Sequence, residues 1–349
     1  MYDLMSKVKI LRRMKEDASG KTGLSKYADD IEDCLKENGI EYETIQFKID
    51  SRDGYFDLFR NGFIRPFRAS RKDRSKENII HATDELCGIF FSFTRGKKIV
   101  TVHHVPLKGE YRGGTYYRLW HMVAKTALKN ADRIIAVSEQ TKEEVLERFK
   151  VDPEKIVCIT NAVNSSFDIK NEIEKEKMIG CIGALIPRKN FSSAIAAFKK
   201  LTEYPGMSEY CLEICGKGPE REILEKKASD LGIEDKVRFV SDLDEEGVVR
   251  FYNRAALIFN TSSHEGLGLA TLEAQKCGVP VLHLEHAKIP EEVIRFSVPC
   301  RDEEEMAKKA HELLENNAEY EKISRNSKQY ADLFGNSFCR SYLELIREI

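Results

Sequence analysis

The sequence predicts an α/β protein built from two doubly wound parallel-sheet domains. Three observations carry this expectation. At 349 residues the chain is too long for one ordinary core. Apolar, strand-like runs alternate with helical stretches along almost its whole length, the pattern of parallel sheets covered by helices. From Ser165 to Lys177 the composition turns polar and charged, with Asp168, Lys170, Glu172, Glu174, Lys175 and Glu176, which marks a linker between two such series. We therefore place an N-terminal domain at 1–165, a linker at 166–177, a C-terminal domain at 178–330 and a closing helix at 331–349 that packs back toward the N-terminal domain.

Each element follows from local pattern. Residues 7–11 read as the first strand, and Ala28, Ile31, Cys34 and Leu35 lie at helical spacing before the stop signal Asn38-Gly39. Residues 78–82 and 98–104 are strand-like and end in His81 and in His103-His104. A histidine at a strand's carboxyl end is expected to face the crevice where such folds bind ligands, although a satisfied structural histidine remains open for either. A helix to Asn130, a strand at 133–137, a helix capped by Ser138 and a strand at 156–159 complete the first series. The second series has strands at 178–183, 210–215, 237–240, 255–260 and 279–284, separated by helices, and ends in helices over 306–349.

Composition removes several classes of function. Basic and acidic side chains nearly balance, 56 against 58, so nothing global argues for nucleic acid. No apolar run approaches the roughly 20 residues a bilayer span needs, and the start Met1-Tyr2-Asp3-Leu4 lacks the layout of a signal peptide. Nine scattered cysteines without CxxC pairs are expected to be reduced thiols of a cytoplasmic protein, with Cys211 and Cys215 as core filling. Gly20-Lys21-Thr22 is not a P-loop, because Lys15 stands where the earlier glycine belongs. Gly216-Lys217-Gly218-Pro219 is not a dinucleotide fingerprint, because Arg221 stands at the third glycine. With no Asp-x-Asp and no His/Cys cluster, neither metal nor other cofactor is expected. Residues 59–76 mix Phe59, Phe63 and Phe67 with Arg60, Arg65, Arg68, Arg71, Lys72 and Arg74. This stretch suits a peripheral contact at the inner membrane face or an anionic acceptor; a solvated surface helix and loop is the bland alternative.

The most informative stretch is His264-Glu265-Gly266-Leu267-Gly268-Leu269-Ala270-Thr271-Leu272-Glu273. It lies between two apolar strands and ends at Cys277-Gly278-Val279-Pro280, so it reads as the loop and helix of a βαβ unit. The amides and dipole of that helix start suit a phosphate, and two carboxylates bracket it.

On these residues the sequence resembles glycosyltransferase family 4, retaining enzymes of the GT-B fold that use nucleotide-sugar donors. The Glu265-Gly266-Leu267-Gly268-Leu269…Glu273 pattern is similar to the family's paired glutamates with seven residues between them. The resemblance is strongest over 178–290, and it implies two Rossmann-like domains facing each other across a cleft. It implies that Glu265 faces the donor sugar, that Glu273 binds the ribose hydroxyls, and that backbone amides around Gly266, Leu267, Gly268 and Leu269 contact the diphosphate. Residues 183–190 are similar to the loop whose arginine and lysine clamp the diphosphate; Lys189 matches, Ala184 replaces the arginine, and the neighbouring Arg188 is the candidate substitute. Gly216 belongs to a G-x-G-P turn, Arg238 is a candidate beside the base, His103 matches a histidine near the sugar, and Gly23 resembles the family's glycine near the donor phosphates.

The expected function is transfer of a hexose from a GDP- or UDP-sugar to a hydroxyl of a glycan, lipid-linked or small-molecule acceptor, with His103, Glu265 and Lys189 catalytic. Because of Ala184, a sugar-nucleotide-binding protein without turnover, or a non-catalytic subunit, is the alternative.

Overall fold

The computed structural model describes residues 7–14, 23–48, 78–107 and 114–349. The loop before Gly23 and the basic aromatic stretch 59–76 lie outside the described residues. The chain divides into two compact units: Met1–Ala162 together with Asn336–Ile349, and Val163–Gly335.

The first unit holds a six-stranded sheet of β1 (Val8–Met14), β2 (Tyr42–Lys48), β3 (Ile79–Ala82), β4 (Lys97–Val102), β5 (Arg133–Ala136) and β6 (Ile156–Cys158). Every pair is parallel, in the order β2-β1-β3-β4-β5-β6. All four β3 residues are buried, as expected of a parallel strand covered on both faces. The helices are α1 (Gly23–Glu37), α2 (Gly114–Asn130) and α3 (Glu139–Phe149), and Ser138 caps α3 by accepting from the Thr141 amide. The C-terminal helix, Phe338–Glu348, belongs to this unit. Its Phe338, Tyr342, Leu345 and Ile346 join Val8, Ile10, Tyr27 and Ile31 in one core cluster.

That helix corrects the expectation of uniformly reduced thiols. Cys339 is bonded to Cys34 of α1, with an S–S distance of 2.01 Å. Sequence spacing gave no hint, because the two are 305 residues apart and meet only when the C-terminal helix docks. Cys211 and Cys215 are not in a disulfide, nor are the remaining five.

The second unit holds β7 (Met178–Ile182), β8 (Cys211–Cys215), β9 (Val237–Val240), β10 (Leu257–Asn260), β11 (Val281–Leu284) and β12 (Val298–Cys300), again all parallel. Its helices are α4 (Phe191–Leu201), α5 (Arg221–Asp230), α6 (Glu245–Arg254), α7 (Leu269–Lys276), α8 (Glu291–Ile294), α9 (Glu303–Glu315) and α10 (Asn317–Ala331). Apolar residues at helical spacing turn one face of α4 inward, including the fully buried Phe198. Truncating Phe198 to alanine would cost about 3–5 kcal/mol. The strand order is β12-β11-β10-β7-β8-β9, so the winding reverses between β7 and β10. Such a reversal leaves the loops after those two strands diverging at the carboxyl edge, which opens a crevice there. Of the four described edge strands, β2 and β12 escaped the sequence reading.

Candidate functional site

The loops after β7 and β10 leave the sheet at this switch point. Glycines set how closely the neighbouring loops approach. A Cβ on Gly183 would lie 2.8 Å from Lys189 Cε, so the bare backbone there is what lets the lysine stem fold back across its own loop. A Cβ on Gly216 would meet Gly183 O at 1.8 Å, and one on Gly218 would meet Leu185 O at 2.3 Å. The loop after β8 therefore presses directly on the loop after β7, with the Leu185 amide donating to Lys217 O at 2.8 Å.

The turn Pro187–Lys189 is pinned to the loop after β10. The Ser263 amide donates to Arg188 O at 2.9 Å and Thr261 Oγ1 donates to Lys189 O at 3.1 Å. Glu265 is held from behind by its amide, which donates to Lys288 O at 2.8 Å.

Three predicted residues converge. Lys189 Nζ donates to Glu265 Oε1 at 2.5 Å, and Arg188 Nη1 donates to Glu265 Oε2 at 2.7 Å and to His264 O at 2.5 Å. Glu265 is only 6% exposed. Burial alone would raise its carboxyl, but the charges of Lys189 and Arg188 outweigh that and hold it well below the usual carboxylate range. Arg188 thus turns to the same carboxylate as Lys189, while Ala184 sits exposed on the same loop.

Gly266 and the buried Leu267 lead to Gly268, whose φ of 91° starts α7 at Leu269. No side chain caps that start. One turn on, Glu273 Oε2 accepts from Tyr252 Oη at 3.1 Å. Tyr252 is fully buried, and burial followed by the neighbouring Glu273 charge pushes its hydroxyl well up. Arg238 is not brought here. It is exposed on β9 and its charge acts on Glu176 and Cys211, which lie at the opposite, amino-terminal edge of the sheet.

In the first unit, His103 follows β4 and its Nε2 donates to Thr83 O at 2.8 Å, which leaves Nδ1 as the acceptor. Burial lowers its pKa to about 4 against the opposing pull of the Thr83 bond and of Asp84, so the ring is neutral. Asp84 itself accepts from Arg13 Nε at 2.7 Å. Glu85 accepts from Trp120 Nε1 at 2.7 Å, and burial, followed by repulsion from Asp84, raises it to about 7. Gly23 opens α1; among the described residues nothing lies within 4 Å of where its Cβ would be.

His81 corrects the reading of strand-end histidines. It is fully buried, bonded to Tyr342 Oη and Thr101 Oγ1 at 2.9 Å each, and burial, with repulsion from His103, lowers it to about 3. The crevice expectation fails because β3 ends one residue later and His81 points into the core side of the strand. Tyr252 and the Asp84-Glu85 pair were not singled out from sequence. The acidic pair directly after a strand was a signal that could have been used; Tyr252 reaches Glu273 from another helix and left none.

Two family models match this chain: one described as glycosyl transferases group 1 over residues 163–330, the other as Glycosyltransferase Family 4 over residues 23–167. The chain belongs to glycosyltransferase family 4. Among relatives, it is 29% identical over 211 residues to the O-antigen chain mannosyltransferase RfbU of Salmonella typhimurium. That match covers 56% of this chain and 58% of RfbU, so less than two thirds of the relative's length is spanned. Among solved structures, a sucrose-phosphate synthase from Thermosynechococcus elongatus superposes with a TM-score of 0.80 at 18% identity, covering 98% of each chain. WaaG, a glycosyltransferase involved in lipopolysaccharide biosynthesis, gives 0.75 at 16% identity over 97% of this chain and 99% of that one. The fold is GT-B, with a Rossmann-like sheet in each unit. Among the described residues no helix is long and apolar enough to cross a membrane.

Proposed function

We propose that this family 4 chain transfers a hexose, with retention of configuration, from a nucleoside-diphosphate sugar to an acceptor hydroxyl. The observation that carries the reading is the buried Glu265 carboxylate held by Arg188 and Lys189 at the switch point of the second sheet. Two cations on one loop suit the two phosphates of a donor, and a carboxylate between them suits the hydroxyls of its sugar. As the diphosphate takes up the cations, Glu265 is released to accept from those hydroxyls. Negative charge grows on the departing nucleoside diphosphate, and Lys189, Arg188 and the amides at the start of α7 stabilise it, so the side chains carry the role a metal could otherwise fill. Glu273, steadied by Tyr252, accepts from the ribose. His103 is assigned to the same transfer from the first unit, its unprotonated Nδ1 accepting from a sugar hydroxyl.

RfbU is by its name a mannosyltransferase of O-antigen chains, which favours mannose as the sugar and a saccharide as the acceptor. Ala184 in the expected arginine position favours a second reading, a sugar-nucleotide-binding protein without turnover. A nucleotide-release assay across UDP- and GDP-sugars with saccharide, lipid-linked and small-molecule acceptors, run beside calorimetry, separates the two. Release that depends on one donor and one acceptor class is the expected result. Tight binding without hydrolysis or transfer would select the second reading, and no binding of any sugar nucleotide would sink both.

A further inference from the structure

The first unit contains a hydrogen-bonded chain of buried side chains that the transfer reading does not use. Tyr342 Oη on the C-terminal helix meets His81 Nδ1 at 2.9 Å, His81 Nε2 meets Thr101 Oγ1 at 2.9 Å, and Thr101 Oγ1 meets Tyr27 Oη at 2.8 Å. Tyr27 is 1% exposed and the other three 0%. Three hydrogen bonds among four groups need three protons, and the neutral groups supply four, so the chain closes with either direction of donation. Burying four polar groups to do a job that apolar packing could do is costly unless each finds a partner, and here each has at least one.

The end of this chain touches His103. The Tyr27 ring meets the His103 imidazole edge to face, with centroids 4.6 Å apart and planes at 84°. Thr83 O holds the same imidazole by its Nε2 proton. Among the described residues, the charges that act on it are those of Asp84 and Arg13, which pair with each other, while the nearby His81 is neutral. Tyr27 is packed in turn by Phe338, at 5.7 Å and 69°, and Phe338 stacks on Tyr342.

We propose that Thr101, His81 and Tyr342 are positioning residues: through Tyr27 they lock the orientation and tautomer of His103, so the C-terminal helix acts as a rear support for a side chain 239 residues earlier in the chain (342 against 103). Without Thr101 Oγ1 the Tyr27 ring loses the bond that sets its depth, and the imidazole loses the wall that stops it rotating about the Thr83 bond. The effect on turnover rests on the assignment of His103 made above.

The test uses the full chain with isotope-labelled histidine, read by NMR without donor. In the unaltered protein, His103 is expected to show one fixed tautomer protonated at Nε2 and a titration midpoint well below that of a free histidine. Tyr342→Phe and Thr101→Val each remove one hydroxyl with little change of volume; both are expected to give averaged His103 tautomer signals and a midpoint moved toward about 6.5. With donor, kcat falls roughly tenfold while the donor KM stays within about twofold, the split expected of a misplaced catalytic group. Thr101→Ser keeps the hydroxyl and restores both readouts. If Tyr342→Phe does not fold, Thr101→Val against Thr101→Ser decides alone. Unchanged His103 signals in a folded Thr101→Val variant would overturn the proposal. If instead the signals change as described but His103→Ala turns over normally, the positioning stands and the catalytic role of His103 falls.

Discussion

The two units solve the same geometric problem with opposite chemistry. Each places its notable side chains at or just beyond the carboxyl ends of strands in a six-stranded parallel sheet. In the second unit the cluster is ionic, with Glu265 between Arg188 and Lys189. In the first it is largely neutral, with His103 and His81 uncharged and Arg13 cancelled by Asp84. An ionic cluster has charges to exchange with an incoming diphosphate; a neutral one can only orient hydroxyls. The contrast explains why anchoring differs as well. Charges reach each other across two adjacent loops, while a neutral imidazole needs walls, and those come from distant helices.

The sharpest way to break this comparison is to remove the cations singly. Lys189→Ala is expected to lower kcat about 10²–10³-fold by exposing the departing diphosphate. Arg188→Ala should fall by the same order if it supplies the cation that Ala184 does not. Activity that survives Arg188→Ala would mean that the second unit works with one cation. Next in size, Glu273→Ala should weaken nucleotide binding about tenfold by calorimetry, as expected for loss of a charged hydrogen-bond acceptor. Unchanged affinity would remove the ribose assignment.

The neutral cluster loses stability on acidification, as the depressed Glu265 carboxylate also does, but in a higher pH window. His81 and His103 are held at about 3 and about 4, below a free histidine. The unfolded chain therefore binds more protons than the fold in this range, so their contribution to stability is full above about 6.5 and declines as pH falls toward about 4. A thermal unfolding midpoint that stays flat across that window would contradict their neutrality. The smallest expected effect is none: Arg238→Ala should leave nucleotide affinity unchanged, since Arg238 lies at the other sheet edge.

The same contrast accounts for what the sequence could reveal. Glu265 and Glu273 were legible because strand, loop and helix follow each other locally, and the glycines between them narrow the possible geometry. The direction of Arg188 was not, because its partner Glu265 is 77 residues away. The edge strands β2 and β12 were hidden for a different reason. Tyr42–Lys48 carries Glu43, Gln46 and Lys48 among its apolar residues, and Val298–Cys300 is three residues long with a central proline, so neither shows the continuous apolar run of a buried strand. His81 was misread because strand position alone does not tell which way a side chain points when its partner, Tyr342, is 261 residues further on.

The division of the chain also dictates an order of assembly. The second unit, Val163–Gly335, is contiguous, but the first is completed by Asn336–Ile349, which follow the whole second unit. During synthesis at roughly 5–20 residues per second, the second unit can fold while the first still lacks the helix that carries Tyr342 and Cys339. His81 and Cys34 are made early and wait for partners 261 and 305 residues further along the chain. The ionic half of the molecule can thus be finished before the neutral half can close. A chain cut just before Asn336 would keep the whole second unit and leave the first without its last core helix.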